Sequence, residues 1–357
     1  MKTVVRRTVA VLAAAGLGLG LAPAGGHAAA PTADSTSTTA TATATSPEQL
    51  KPGVHRWGGR DRYDTARIVA EHYGRAYTAY IASGQSSADA LTASAAAAPG
   101  SDPEAPDRGK DAPVLLVRKH AIPQATDQAL WAMNTMGVKL LGGPDAIAPE
   151  TAHGFIASEY FFEQIGGSDR YATSAKVAKR FRPGVKTLYV VSGADASFPD
   201  ALAAGALAGS QDVPLLLTHP TRAKRSTLDA VRALKPKRVV VVGGTRAFSA
   251  SVARTLGATE RIAGRDRYET AAKVADRFGD HDTVMVASGT TYPDALTGGA
   301  LAATWDVPVL LTRPDRLPDA TRKQLLDEHV FRAVILGGEK AVSARTAIQL
   351  CHAICGN

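Results

Sequence analysis

The sequence is poor in cysteine and has no long apolar run beyond its first thirty residues. Its two cysteines, Cys351 and Cys355, lie together near the C-terminal end, so no disulfide framework holds the body of the chain. In an oxidising compartment the two thiols can pair, and we predict a disulfide between them. Apart from His352 no metal-ligand pattern accompanies them, so no zinc site is predicted. A transmembrane helix needs about 20 apolar residues, and none is predicted in the mature protein.

The sequence also lacks the short motifs of common catalytic and cofactor sites. No Gly-x-Ser-x-Gly elbow, P-loop, His-Glu-x-x-His or dinucleotide fingerprint stands in a suitable context. No histidine recurs at one position of the repeat described below, which argues against a repeated Ser–His–Asp triad. We therefore predict no enzymatic activity, no cofactor and no metal.

The first residues are typical of a secretory signal peptide. Lys2, Arg6 and Arg7 precede the run TVAVLAAAGLGLGLA, and small residues follow, which predicts a signal over residues 1–28. Removal of these cations lowers the formal net charge from +8 to +5, a balance that favours polyanionic partners. Residues 29–54, rich in Thr, Ala and Ser, predict a disordered linker. These features indicate a secreted protein.

The rest of the chain consists of three copies of one module, which we place at residues 55–160, 161–259 and 260–357. The phrase Gly-x-Asp-Arg-Tyr-x-Thr occurs in each copy, and the first copy carries an additional Pro/Gly-rich surface loop at 99–111. Repetition at this length indicates tandem domains. Other landmarks keep the same order: Ser-Gly at 83–84, 192–193 and 288–289; Asp-Ala-Leu at 89–91, 200–202 and 294–296; and Gly-Gly at 142–143, 243–244 and 337–338.

Within one copy, strand and helix patterns alternate. In the second copy KTLYVVSG, VPLLLT and RVVVVGG are continuous apolar runs, as expected for strands covered on both faces. Helical patterns follow each of them, which predicts an α/β fold with a parallel sheet in each module.

The recurring aspartate and arginine of the phrase have different predicted roles. Asp61, Asp169 and Asp266 stand where a helix N-cap is expected, so a structural role is favoured for them. Arg62, Arg170 and Arg267 follow in the first helical turn, where the helix dipole disfavours a cation. Their placement predicts an anionic partner, which is either a carboxylate of a neighbouring module or a ligand.

Ligands of open parallel sheets bind beyond the carboxyl ends of the strands, and recurring polar residues collect there. Together with basic residues that follow the second strand, they predict a site for carboxylate or phosphate groups. The alternative is that glycines form turns, serines satisfy loop amides and arginines are solvated. The candidate ligand-binding residues are Arg62, Arg170, Arg267, Ser83, Ser192, Ser288, Asp89, Asp200, Asp294, Arg222 and Arg313.

The pattern RIAGRDRYETA … VASGTTYPDALTGGALAATWDVPVLLT … VILGGEKAVS resembles the cell wall binding repeat 2 family of bacterial surface proteins. All three copies match, over roughly residues 55–357. The resemblance implies Toprim-like (Rossmann-like) modules that pack as an intramolecular pseudo-threefold trimer and attach the protein non-covalently to anionic wall polymers through basic clefts between modules. The first copy departs from the pattern, with SSADAL in place of SFPDAL and TYPDAL.

Three functions follow as hypotheses from the repeats, the signal peptide and the charge. The first is a secreted protein that binds anionic wall glycopolymer or peptidoglycan, with no role for nucleic acid and with the chain as a monomer. The second is an accessory protein or activator of a wall hydrolase such as an amidase. The third is a component of a surface layer.

Overall fold

The computed structural model describes residues 44–86, 91–97, 112–291 and 293–355. These residues belong to one compact unit, Thr41–Asn357. The predicted signal peptide, most of the predicted linker, Asp89 and the 99–111 insertion lie outside the described residues. Regular structure begins within the range predicted as a linker. A 3₁₀ turn spans Pro47–Gln49, and the first strand starts at Gly53.

The described part of the chain forms three four-stranded sheets in which all neighbouring strands are parallel. The strands are β1 Gly53–Trp57, β2 Thr78–Ser83, β3 Val114–Val117, β4 Gly137–Leu141, β5 Phe161–Ile165, β6 Thr187–Ser192, β7 Leu215–Thr218, β8 Arg238–Val242, β9 Glu260–Ile262, β10 Thr283–Ser288, β11 Val309–Thr312 and β12 Arg332–Leu336. We call the sheet β3-β2-β4-β5 module 1, β7-β6-β8-β9 module 2 and β11-β10-β12-β1 module 3. Strands β2, β6 and β10, one at the centre of each sheet, are buried along their whole length, and the predicted α/β class with parallel sheets is confirmed.

Helices alternate with these strands along the chain. They are α1 Arg62–Glu71, α2 Ala93–Ala96, α3 Gln124–Ala132, α4 Pro149–Ala157, α5 Arg170–Ala178, α6 Phe198–Ser210, α7 Arg225–Leu234, α8 Ala250–Thr255, α9 Arg267–Ala275, α10 Pro293–Thr304, α11 Asp319–Asp327 and α12 Ala344–Cys355. None of the described helices combines the length and apolar character needed to cross a membrane.

Each sheet takes its fourth strand from the next sequence repeat. Ile165 at the end of β5 pairs with Leu141 of module 1, and Ile262 at the end of β9 pairs with Val242 of module 2. The exchange closes on itself, because Trp57 of β1 pairs with Leu336 of module 3. The helix that follows each exchanged strand then packs on the sheet of its own repeat, so the chain crosses between modules at every Gly-x-Asp-Arg-Tyr-x-Thr phrase.

The three helices α2, α6 and α10, one from each module, pack on one another. Small side chains make this close packing possible. A side chain at Gly209 of α6 would meet both Ala303 of α10 and Ser94 of α2. The largest hydrophobic cluster is therefore continuous from module to module, and two smaller clusters lie within modules 2 and 3.

Candidate functional site

The Gly-x-Asp-Arg-Tyr-x-Thr phrase forms a turn in which every recurring side chain has a partner within the protein. In the third copy, the Asp266 carboxylate accepts hydrogen bonds from the backbone N–H groups of Tyr268 and Glu269, at 3.0 and 2.9 Å. The Thr270 hydroxyl accepts the N–H of Gly264 at 3.0 Å. The N-cap role predicted for the aspartate is confirmed in all three copies.

The arginines of the phrase are half-buried and point at the end of the first central strand. Arg62 donates to the backbone oxygen of Gly84, Arg267 to that of Gly289, and Arg170 to that of Gly193. The hydrogen-bond partner common to the three copies is thus a neutral carbonyl, which the sequence did not suggest. Among the ion pairs of the described residues, only Arg170 of the three takes part, with the exposed Asp195 at 2.5 Å.

The tyrosines of the phrase pack against the same glycines. A Cβ atom at Gly84, Gly193 or Gly289 would lie 2.7 Å from the tyrosine ring, which explains the recurring Ser-Gly. A cation also lies over each ring: Arg118 over Tyr63, Lys224 over Tyr171 and Arg313 over Tyr268, at 5.0, 5.1 and 5.1 Å from the ring centres.

Lys224 holds the place in module 2 that Arg313 holds in module 3, although the sequence analysis selected Arg222. Arg222 is exposed in the same loop. Spacing alone does not reveal this, because His219 is the residue that directly follows the second strand as Arg313 does, while Lys224 lies further along the loop and takes this place only in three dimensions.

The recurring serines are buried, with 1–2% of their surface exposed. Their hydroxyls accept backbone N–H groups two residues further along the chain: Gln85 to Ser83 at 3.2 Å, Ala194 to Ser192 at 3.3 Å and Thr290 to Ser288 at 3.2 Å. The geometry gives Ser83, Ser192 and Ser288 a role in shaping the loop, in line with the structural alternative considered above.

Two of the three recurring aspartates, Asp200 and Asp294, lie at helix starts and line clefts between modules. Asp200 at the start of α6 is 8% exposed, and its carboxylate lies beside Gly243 of the same module. Asp294 at the start of α10 lies beside Gly337 in the same way. Asp89 lies outside the described residues.

Burial raises the pKa of Asp200 to about 6, and the charge of Arg267, which belongs to the next repeat, partly opposes that rise. Burial also raises the pKa of Asp294, while a hydrogen bond from Thr65 and the charge of Arg62 oppose it. Arg267 and Arg62 therefore each act electrostatically on an aspartate of the neighbouring module. For these two arginines, the predicted carboxylate of a neighbouring module is present at longer range.

Two of the places where a repeat meets the preceding module are open clefts. Junction 3–1, where repeat 1 meets module 3, is a cleft of about 530 Å³ lined by Arg60, Arg62, Asp294 and Lys340 among others. Junction 2–3, where repeat 3 meets module 2, is a cleft of about 350 Å³ lined by the equivalent Arg265, Arg267, Asp200 and Arg246. The phrase supplies one wall, and the loop after the third strand supplies the other.

The cations at the mouths of the clefts are exposed. The side chains of Arg60 and Arg265 are 89% and 91% exposed, and each contacts a carboxylate of its own helix, Asp64 or Glu269. Arg246 and Lys340 on the opposite wall are also exposed. Within the described part of the chain, neither of them forms an ion pair with a carboxylate, so both are free to pair with an anion.

A further pocket adjoins junction 2–3. It has a volume of about 590 Å³, and its charged lining residues are three arginines and three acidic residues: Arg265, Arg313, Arg316, Asp266, Glu269 and Asp319. Arg265 lines both spaces.

The two cysteines lie on one face of α12, with their sulfur atoms 3.2 Å apart. This separation exceeds the bonded distance of about 2.05 Å, and both thiols are free in this structure. The predicted disulfide stays a prediction. The described residues contain no cluster of three or more potential metal ligands.

A family model described as Cell wall binding domain 2 (CWB2) matches residues 56–152, 164–253 and 261–347. These three matches take in well over half of the chain. The chain belongs to the CWB2 family. The three tandem CWB2 repeats that its sequence resembles are thereby confirmed, and each match spans the Arg-Tyr phrase and the Gly-Gly loop that form the cleft walls.

Two curated Bacillus subtilis (strain 168) proteins share this CWB2 region. N-acetylmuramoyl-L-alanine amidase LytC is 32% identical over 305 residues, covering 85% of this chain and 59% of LytC. The Amidase enhancer is 26% identical over 301 residues, covering 83% of this chain and 40% of the enhancer. The chain thus spans three fifths or less of these relatives.

Two solved structures have the same fold as this CWB2 chain. Cwp6 from Clostridium difficile superposes with a TM-score of 0.75 at 22% identity, covering 88% of this chain and 50% of Cwp6. Cwp8 from the same organism gives a TM-score of 0.72 at 24% identity, covering 86% and 53%. Identities this low show the shared three-module architecture and no more.

The buried carboxylate in junction 2–3 makes the stability of this CWB2 chain depend on pH. The pKa of Asp200 is higher in the folded state, about 6, than the ordinary value of about 3.9 in the unfolded chain. The folded state therefore binds more protons between these values, and stability falls as the pH rises through this window. We expect Asp200→Asn to raise the free energy of unfolding by about 1–3 kcal/mol at pH 7.5. Urea unfolding at pH 4 and pH 7.5 measures it.

The control is Asp145→Asn, which changes an exposed carboxylate in the loop of module 1 equivalent to the one beside Asp200. That variant should follow the wild-type pH dependence. An Asp200→Asn variant that is no more stable than the wild type at pH 7.5 would contradict the prediction.

Proposed function

We propose that this protein is secreted and binds the bacterial cell wall non-covalently, with an anionic wall polysaccharide or peptidoglycan as its partner. The observation that carries the proposal is the pair of inter-module clefts with exposed arginine and lysine side chains on both walls. Membership of the CWB2 family supports it. The proposal includes no catalytic role and no cofactor.

We further propose that the chain is a monomer in which three Toprim-like (Rossmann-like) modules form an intramolecular pseudo-threefold trimer. The mutual packing of α2, α6 and α10 supports this arrangement, as does the closed strand exchange. Clefts at more than one junction would let a single polymer contact the protein repeatedly. Multivalent contact of this kind raises the apparent affinity by about 10²–10⁴-fold without any new type of contact.

The proposal predicts that wall binding is abolished by high salt and also by removal of the anionic polymer from the wall. The Debye length falls from about 10 Å at 0.1 M salt to about 3 Å at 1 M, so exposed cations lose their attraction for the wall. We expect the chain to be retained on purified walls at 0.1 M salt and released as the salt rises. Walls stripped of phosphate- and uronate-containing polymers should retain little of it at any salt. Equal retention on intact and stripped walls, insensitive to salt, would remove the electrostatic proposal.

A second candidate function is assistance to a wall amidase. The observation that favours it is that two curated relatives are named as an amidase and as an amidase enhancer, each aligned over most of this chain. An assay of wall lysis by an amidase, with and without this chain, tests the idea. A rate of lysis that the chain does not change would eliminate it.

A further inference from the structure

The cations at the mouths of the junctions come from two positions that differ between the copies, and a third variable position adds the carboxylate of Glu339 at junction 3–1. The first is the residue before the N-cap aspartate, which is Arg60, Ser168 or Arg265. The second position lies three residues after the first glycine of the Gly-Gly pair and is Asp145, Arg246 or Lys340. All six residues are exposed, so no packing constraint fixes their charge.

Strand exchange brings these positions together across repeats rather than within one. Lys340 and Arg60 line junction 3–1, and Arg246 and Arg265 line junction 2–3. The remaining junction, 1–2, where repeat 2 meets module 1, therefore combines Asp145 with Ser168. Neither of them is a cation.

Junction 1–2 has the same backbone framework as the others. The N–H of Gly142 donates to Ile165 at 3.0 Å, as that of Gly243 does to Ile262 at 2.9 Å and that of Gly337 to Trp57 at 2.7 Å. A side chain of the exchanged strand also donates to the same glycine oxygen, with Gln164 Nε2 to Gly142 at 3.0 Å and Arg261 Nη1 to Gly243 at 2.6 Å. The strand-pairing framework of junction 1–2 is therefore that of the other two, and its exposed residues at these two positions differ from theirs in charge.

The arginine of the phrase does not restore the charge at junction 1–2. Arg170 forms an ion pair with Asp195, as Arg60 and Arg265 do with Asp64 and Glu269, but Asp145 stands where the other junctions have Lys340 or Arg246. Unlike Arg170, Arg62 and Arg267 form no ion pair with a carboxylate among the described residues, although each donates to a carbonyl. An anionic group entering junction 1–2 would meet the carboxylate of Asp145 where the other two junctions present a cation, and like charges oppose association.

We infer that the chain has two polyanion-binding junctions, 3–1 and 2–3, which both border module 3, and that junction 1–2 is silent. The ligand class is a polymer with repeated phosphate or carboxylate groups. The inference rests on the proposed function and adds to it the number and location of the binding junctions.

Calorimetric titration of the full chain with a tri(glycerol phosphate) oligomer, and in parallel with a tri(galacturonate), counts the sites. We expect a stoichiometry of two for whichever chemistry the junctions accept. Arg60→Gln with Lys340→Gln should leave one site, and Arg246→Gln with Arg265→Gln should also leave one. Far-UV circular dichroism confirms that each variant is folded.

The decisive variant gains a site. Asp145→Arg with Ser168→Arg should raise the stoichiometry to three and strengthen binding to the long polymer by about tenfold or more. The matched control, Asp280→Arg with Thr255→Arg, adds the same charge at exposed positions in the loop before β10 and at the end of α8, and should stay at two. A stoichiometry of three in the wild type, a gain variant that stays at two, or no binding of either oligomer overturns the inference.

Retention on purified walls separates this inference from the proposed function. A wild-type chain that is not retained on walls refutes the proposed function. A chain that is retained on walls but shows one or three sites refutes only the assignment of the two junctions.

Discussion

Replacing the four exposed cations at the two junctions should abolish retention on purified walls at physiological salt. The variant Arg60→Gln, Arg246→Gln, Arg265→Gln and Lys340→Gln removes the cations from both walls of both clefts. Two linked sites gain about 10²–10⁴-fold in apparent affinity over one, and this variant loses that gain together with the attraction at each site. We expect an affinity reduced by at least this factor, measured by depletion of the protein from a wall suspension.

The control for this variant removes the same amount of charge from the opposite edge of the sheets. Arg75, Arg182, Lys186 and Lys237 are exposed and lie in loops that precede central strands. Their replacement by glutamine lowers the net charge equally, so a decrease in binding that arises only from net charge would be the same in both variants. Equal binding by the junction variant and the control would refute the role of the clefts.

The fold could be predicted from the sequence where strands are buried on both faces. Thr187–Ser192 and Arg238–Val242 appear in the sequence as continuous apolar runs, and they are central strands of module 2. The exchanged strands lie at sheet edges and were missed because they lack a long apolar run. Phe161–Ile165 exposes Phe161 and contains two polar residues, and Glu260–Ile262 has only three residues. Neither has the alternating or continuous apolar pattern that marks a strand.

The candidate site was predicted less well because the chain consists of duplicated copies. A duplicated fold repeats the residues that build it, and the recurring arginine, tyrosine and serine each have a partner within the protein. The exposed residues of the clefts are those that vary, such as Arg60 and Ser168. Choosing candidate residues by their recurrence therefore identified residues that build the site rather than residues of its binding surface.

The pairing of cleft walls could not be predicted from the sequence without the strand exchange. Arg60 and Lys340 are at opposite ends of the chain, and they meet because β1 completes the sheet of module 3. From the sequence of the repeats alone, one would expect the two walls of a cleft to come from the same copy. Here the residues that act together come from consecutive copies.

Packing at the centre of the three modules predicts a large loss of stability for Gly209→Leu. A Cβ atom at Gly209 would lie 2.6 Å from the Cβ of Ala303 and 3.0 Å from the backbone oxygen of Ser94, so helices of all three modules would have to separate. Helix propensity alone predicts the opposite sign, because leucine favours a helix over glycine by about 0.8 kcal/mol. Overpacking costs about 1–3 kcal/mol or more for a buried site, and here neither contact is the end of a flexible side chain. We expect the free energy of unfolding to fall by about 3 kcal/mol.

Urea unfolding followed by tryptophan fluorescence and by far-UV circular dichroism measures this effect. Trp57 and Trp305 lie 5.5 Å apart in an edge-to-face arrangement between β1 and the end of α10, so their emission reports on the contact of repeat 1 with module 3. The matched control is Gly279→Leu, at an exposed glycine with no atom within 4 Å of its added Cβ, where a change of less than about 0.5 kcal/mol is expected. Because the largest hydrophobic cluster is continuous across the modules, both signals should shift together for Gly209→Leu. A variant as stable as the wild type would mean that the three helices do not pack as closely as this structure has them.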